Sequence, residues 1–209
     1  MKSYKIYLIR HGETDANEKG LYIGCRTDLP LSPKGLTGLL KMKSEYEYPS
    51  AKRFFTSPLS RCRQTLNVLY PNCHQEVIDG LKECDFGEWD GQNIAQLQAN
   101  TEFQQWMYGS LTAIPGGEDA SQFQQRVMQT FETLVNDLIH SGDTEAVICT
   151  HGGVIMLIMA AYAFPRAEMH EWVTESGGGF VLRITPTLWF REPVAEAIST
   201  IPMLPGKQS

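Results

Sequence analysis

Tyr4-Lys5-Ile6-Tyr7-Leu8-Ile9-Arg10-His11-Gly12 is an apolar, β-rich run that stops abruptly at a cation, an imidazole and a glycine. Such a run reads as a buried strand feeding a functional loop. The pattern recurs downstream, where Glu145-Ala146-Val147-Ile148-Cys149-Thr150 ends at His151-Gly152-Gly153 and an apolar helix follows from Val154 to about Ala163. Continuous apolar strands that alternate with helices predict a mostly parallel sheet covered on both faces. The expected fold is therefore α/β: three layers, with a mostly parallel central sheet between helices.

The rest of the chain fits that alternation. Ser32-Pro33 and Ser57-Pro58 each pair a capping side chain with a proline suited to a first helical turn. Leu36, Leu39 and Leu40 give the first helix an apolar stripe, weakened by Gly35 and Gly38; Leu59, Leu66 and Leu69 do the same for the second. Arg53-Phe54-Phe55-Thr56 reads as a short strand between them. A long helix is expected from about Asp119 to Ile139, because Phe123, Val127, Phe131, Leu134 and Leu138 share one helical face. Gly142-Asp143 breaks it, and Gly177-Gly178-Gly179 precedes a last β-prone segment, Phe180 to Ile184. With neither repeat nor linker, residues 1–209 are expected to form one domain, and the tail from about residue 193, with prolines at 193, 202 and 205, to be loosely packed.

Composition narrows the function. The chain has 209 residues, 42% hydrophobic and 20% charged, with a formal net charge of -6, so a sizeable core is affordable and disorder is excluded. An acidic balance without a Lys/Arg excess argues against a nucleic-acid partner. Five cysteines, Cys25, Cys62, Cys73, Cys84 and Cys149, are odd in number and lack C-x-x-C spacing, as expected of reduced thiols. The longest apolar stretch, Val154 to Phe164, is short of the roughly 20 residues a bilayer requires, and Arg10 and His11 interrupt any secretory h-region. A cytoplasmic protein with no membrane partner is expected.

In an open α/β sheet, ligands bind outside the carboxyl ends of the strands, which is where His11 and His151 fall. A glycine after each lets backbone and ligand approach closely. Two imidazoles beside an arginine make a donor-rich, cationic pocket suited to a phosphate dianion. A metal site is the alternative for a histidine pair. There is no H-E-x-x-H, however, and no carboxylate or thiol at ligand spacing, so no metal is expected.

These residues resemble the histidine phosphatase superfamily, also called the phosphoglycerate mutase-like family, over nearly the whole chain. Four motifs carry the likeness, in order: Arg10-His11-Gly12 with Glu13, Thr14 and Asn17; Ser57-Pro58-Leu59-Ser60-Arg61-Cys62-Arg63-Gln64-Thr65, where the family has Ala at the Cys62 position; Leu81 to Gly91; and Thr150-His151-Gly152-Gly153. The resemblance implies that His11 is the nucleophile, its other ring nitrogen donating to a backbone carbonyl. It implies that Arg10, Arg61 and His151 hold the phosphoryl oxygens, with Gly152 beside them. Two planar guanidinium forks would each bind two oxygens and keep their charge. Arg63, two residues beyond Arg61, should face solvent.

Glu83 matches the family's proton donor to the leaving oxygen, held protonated by burial and a neighbouring dianion. Glu88 is its rival, and Glu13 is expected to orient the loop. Asn17 and Gly24 border the phosphate and substrate in the family, although Asn17 also suits simple turn chemistry. Pro115-Gly116-Gly117-Glu118-Asp119 resembles the family's loop before the long helix, with Asp119 as a cap in place of serine. Trp106, Met107 and Tyr108 either line a substrate pocket or join the core. Cys149 is expected to serve packing.

Hydrolysis and mutase-type transfer share their first half. From Gly91 to Pro115 there are 25 residues and no Lys or Arg, so a bisphosphate intermediate would be poorly neutralised there. The resemblance therefore favours a phosphomonoester hydrolase acting on a small phosphorylated metabolite. The Gly12 to Gly24 stretch, Ala113-Ile114-Pro115 and Gln125-Arg126-Val127 look most like α-ribazole phosphatases, with broad-specificity phosphatases close behind. Phosphoglycerate mutase-type transfer and a non-catalytic phospho-ligand domain are the alternatives. No cofactor is implied, and a homodimer is left open.

Overall fold

The computed structural model describes residues 2–205. In chain order its strands and helices are β1 (Tyr4–Arg10), α1 (Asp15–Glu18), α2 (Pro33–Glu45), β2 (Arg53–Thr56), α3 (Ser60–Leu69), β3 (Gln75–Val77), α4 (Ile94–Leu97), α5 (Thr101–Met107), α6 (Ala120–Ser141), β4 (Glu145–Thr150), α7 (Gly152–Tyr162), β5 (Ala163–Phe164), β6 (Gly179–Ile184), α8 (Pro186–Trp189) and β7 (Ala195–Ile201). The strands form one sheet in the order β3-β2-β4-β1-β6-β7-β5. β1 with β4, β2 with β3 and with β4, and β5 with β7 are parallel, while β6 runs antiparallel to β1 and β7. The expected mostly parallel α/β sheet is the one observed.

Alternation along the central strands explains the three layers. Ile6 and Leu8 of β1 and Ala146 and Ile148 of β4 face one side, packed with Val127, Phe131 and Leu138 of α6 and Ile155, Ile158 and Met159 of α7. Tyr7, Ile9, Val147 and Cys149 face the other side, against Leu39 of α2 and Cys62, Leu66 and Leu69 of α3. Both faces are dry, so these strands read as unbroken apolar runs. Cys149 is thus a packing residue. Phe131 is fully buried, with its ring 5.2 Å from that of Tyr162 and 6.0 Å from that of Trp189. Truncation of such a side chain costs about 3–5 kcal/mol.

Local signals set the helix ends. Ser32 Oγ accepts from the Gly35 N–H, capping α2. Asp119 and Gln122 form a reciprocal capping box at α6, which ends at left-handed Gly142. Ser57 does not cap α3, as Ser57-Pro58 had suggested. That helix begins at Ser60, whose N–H and hydroxyl both donate to the Asp28 carboxylate at 2.7 and 2.8 Å.

The expected loose tail from residue 193 is also corrected. Residues 195–201 are β7, ordered between β6 and β5, with Ala195 and Ile201 buried. Pro193 and Pro202 lie just outside the strand and bound it, since neither could donate to a ladder from within. Met203 bridges to Glu47, and residues 206–209 lie outside the described residues.

Candidate active site

The register of the sheet assembles the site. In the parallel β1–β4 pair, Arg10 stands opposite Thr150, so the next residue of each strand, His11 and His151, must emerge side by side. Their ring centroids lie 5.1 Å apart at 62°. β2 pairs Thr56 with Cys149, which delivers Ser57 to the same crevice. Three parallel strand ends thus converge there, as expected for an open α/β sheet.

Hydrogen bonds fix both tautomers. His11 is buried, and its Nδ1 lies 2.7 Å from the Gly12 carbonyl oxygen. An oxygen acceptor requires Nδ1 to carry the proton, which leaves the Nε2 lone pair available. His151 is arranged the other way. Arg61 Nε–H donates to its Nδ1 at 3.4 Å, so Nε2 carries the proton and donates to Ser57 Oγ at 2.8 Å. Burial, reinforced by the Arg61 and Arg10 charges, pushes His11 down to about 3; burial likewise holds His151 well below the ordinary imidazole range. Both rings are neutral at physiological pH.

The two arginines are held differently. Arg61 is only 2% exposed and donates through Nη2 to Gly24 O at 3.0 Å and through Nη1 to Thr27 O at 3.1 Å. Three of its five N–H groups are thereby committed to the protein, so it offers less than a full fork. Arg10 donates from Nη1 to Thr174 O at 2.7 Å, while its buried Nε–H has no partner among the described residues. A Cβ added at Gly152 would lie 3.6 Å from that nitrogen, so the unpaired donor sits at the N-terminus of α7. Buried orphan donors are rare and mark a place for an acceptor. Arg63 is exposed, as its spacing required.

Glu83 is buried, with its two carboxylate oxygens 3.0 Å from Cys84 N and 3.1 Å from Gly153 N. Burial raises its pKa in spite of those hydrogen bonds and the Arg61 and Arg10 charges, which oppose it. Gly153 makes room for it, since a Cβ there would meet the Glu83 carboxylate. Glu88 is exposed and rests against Gly116, outside this crevice. Glu13 offers its carbonyl to Ser32 N–H, and its carboxylate lies 3.5 Å from Lys34 Nζ at the surface.

Asn17 Oδ1 accepts from the Thr14 N–H and hydroxyl, completing the capping box of α1, so its oxygen serves the turn. Gly24 gives its N–H to Asp90 and its carbonyl to Arg61, and a side chain there would overlap the Cys84 carbonyl. It serves the site as an anchor for Arg61. Trp106 packs edge-on to Phe86 and Trp89, beside a Tyr22–Phe86 stack at 4.1 Å, whereas Met107 and Tyr108 project outward.

Sequence reasoning missed several residues. Ser57, the acceptor for His151, was hidden by the resemblance of Ser-Pro to a cap. Thr65 holds the Gly12 N–H with its hydroxyl at 2.9 Å, a contact between residues 53 positions apart that only the fold creates. Cys62 Sγ lies 3.5 Å from His151 Nε2.

A buried cluster of two neutral imidazoles, guanidinium groups and one acid at converging strand ends is the candidate active site of an enzyme. The chain belongs to the histidine phosphatase superfamily (branch 1), whose family model matches residues 6–190. It is similar to the adenosylcobalamin/alpha-ribazole phosphatase of Salmonella typhimurium, 26% identical over 207 residues that cover 96% of this chain and 95% of the relative. A broad-specificity phosphatase of Saccharomyces cerevisiae is 25% identical over 175 residues, covering 80% of this chain and 74% of the yeast protein. The fold matches the crystal structure of the alpha-ribazole phosphatase from Shigella flexneri with a TM-score of 0.80, at 24% identity, over 98% of this chain and 100% of that one. Among the described residues no helix is long and apolar enough to cross a membrane.

Proposed function

We propose that the protein hydrolyses a small phosphomonoester through a phosphohistidine on His11, with an α-ribazole 5'-phosphate-like ester as the leading substrate. The observation that carries this reading is the tautomer of His11. Its Nδ1–H is spent on the Gly12 carbonyl, so a neutral Nε2 lone pair is presented in a crevice flanked by Arg10 and Arg61.

His11 Nε2 attacks phosphorus and the ester P–O bond breaks. Arg10 Nε–H, the uncommitted N–H groups of Arg61, the Gly152 N–H and the Asn17 amide take the phosphoryl oxygens, and the His151 Nε2–H exchanges Ser57 Oγ for one of them. The unpaired Arg10 donor gains its acceptor at this point. Glu83, whose pKa burial raises, gives its proton to the departing alkoxide. The resulting carboxylate then takes a proton from water as the water oxygen attacks the phosphohistidine. The sum is ester plus water to alcohol plus inorganic phosphate, with His11 and Glu83 restored. Every step draws on groups of this chain and on water.

The names of the relatives support a ribazole-type alcohol. The test is a panel of phosphomonoesters, including α-ribazole 5'-phosphate and 3-phosphoglycerate, read for inorganic phosphate, isomerised product and acid-labile phosphohistidine. Phosphate release with a trapped phosphohistidine is expected. Isomerised product without phosphate, or turnover that survives His11→Ala, would overturn the reading.

A further inference from the structure

Arg126 of α6 spends all five of its N–H groups around Glu83. Nε and Nη2 form a fork with the Glu118 carboxylate at 2.9 and 2.7 Å. Nη1 donates to the carbonyls of Gly80 and Lys82, both at 2.9 Å, and Nη2 reaches the carbonyl of Glu83 itself at 3.4 Å. Glu118 closes the other flank: its N–H donates to Asp85 O at 2.9 Å, and its Oε2 accepts from Asp85 N–H at 3.4 Å. The chain before Glu83 and the chain after it are therefore gripped by one ion pair, which is anchored on a 22-residue helix. Side-chain exposures of 23% and 16% keep that pair largely out of water.

The need for such a grip follows from the chemistry. Glu83 lies in an irregular stretch outside every helix and strand, where no ladder of backbone bonds fixes its direction. A proton donor must nonetheless be aimed to within hydrogen-bond reach of one oxygen, and misplacement by about 1 Å can cost on the order of 100-fold in rate. A lysine at this position would keep the charge but could not span a carboxylate and three carbonyls at once.

We infer that Arg126, clamped to Glu118, is a positioning residue that aims the Glu83 carboxyl at the leaving oxygen. This rests on the proposed acid role of Glu83, and the test separates the two. Wild type, E83Q, R126K and the E83Q/R126K double variant are assayed on an alkyl phosphate, glycerol 3-phosphate, and on p-nitrophenyl phosphate, whose leaving group needs little protonation. R126K is expected to slow the alkyl ester by about 10- to 100-fold and the nitrophenyl ester by no more than about twofold. In the E83Q background it should add less than about twofold on either ester, because a residue acting only through Glu83 has nothing left to aim.

Equal losses on both esters in R126K, or a further fall in the double variant, would reduce Arg126 to a structural brace and overturn the inference. If E83Q itself slows both esters equally, the acid role falls and this inference falls with it, which is a different and recognisable result. Should R126K fail to fold, E118Q removes the other half of the fork and carries the same comparison.

Discussion

Neutrality of His11 is a claim about stability as well as reactivity. The unfolded chain presents an ordinary imidazole that takes a proton near pH 6.5, whereas the folded protein resists protonation down to about 3. Folded pKa lies below unfolded pKa in a base, so acid favours the unfolded state, and stability falls as pH drops from about 6.5 toward 3. Between about pH 7 and about pH 5 this one residue removes about 2 kcal/mol of folding stability. Asn in its place can set an amide N–H against the Gly12 carbonyl and does not titrate. His11→Asn should therefore lose about 2 kcal/mol less than wild type over that interval, with the neutral burial of His151 common to both. Urea unfolding at the two pH values measures it. With a slope of about 2 kcal/mol per molar urea, the wild-type midpoint should fall about 1 M further than the variant's. Midpoints that fall in parallel would show that His11 is not held neutral, and the nucleophile would lose its physical basis.

Two further outcomes follow from the same crevice. Ser57→Ala leaves the His151 Nε2–H without its acceptor in a fully buried site, at about 1–3 kcal/mol, or a melting temperature lower by roughly 2–10 °C in a chain of this size; an unchanged melting temperature would contradict the tautomer assigned to His151. For a poor leaving group, kcat/KM should fall as pH rises through the raised pKa of Glu83, which loses its proton there. E83Q should abolish that alkaline limb, and its persistence would place the acid elsewhere.

What the sequence disclosed and what it hid divide along one physical line. β1 and β4 were legible because strands buried on both faces need unbroken apolar residues, and α6 because Phe123, Val127, Phe131, Leu134 and Leu138 repeat at the helical period. β7 was hidden, since Ala195 to Ile201 mixes small, polar and apolar residues and draws its order from neighbours on both sides rather than from its own pattern. Among the candidate residues, His11, Arg61, Glu83 and His151 could be read from motif and position. The roles of Ser57 and Thr65 could not, because each acts through a partner 53 or 94 residues away.

That division has a consequence for where variation matters. The pocket side chains supply donors, but their protonation and aim are set by a second circle: Gly12 O for His11, Ser57 for His151, Gly24 O and Thr27 O for Arg61, and Arg126 with Glu118 for Glu83. A neutral imidazole and a protonated carboxyl are both states that burial favours, while two guanidinium groups resist burial unless backbone carbonyls compensate. Arg61 meets that demand with two carbonyls, at the expense of donors it could otherwise give to phosphate. Arg10, with one carbonyl and a buried unpaired Nε–H, keeps more of its capacity for the ligand. The expectation of two equivalent forks therefore gives way to a division of labour. On the proposed reaction, Arg61 chiefly orders the crevice and sets the His151 tautomer, and Arg10 is the guanidinium that gains most when the phosphoryl group arrives.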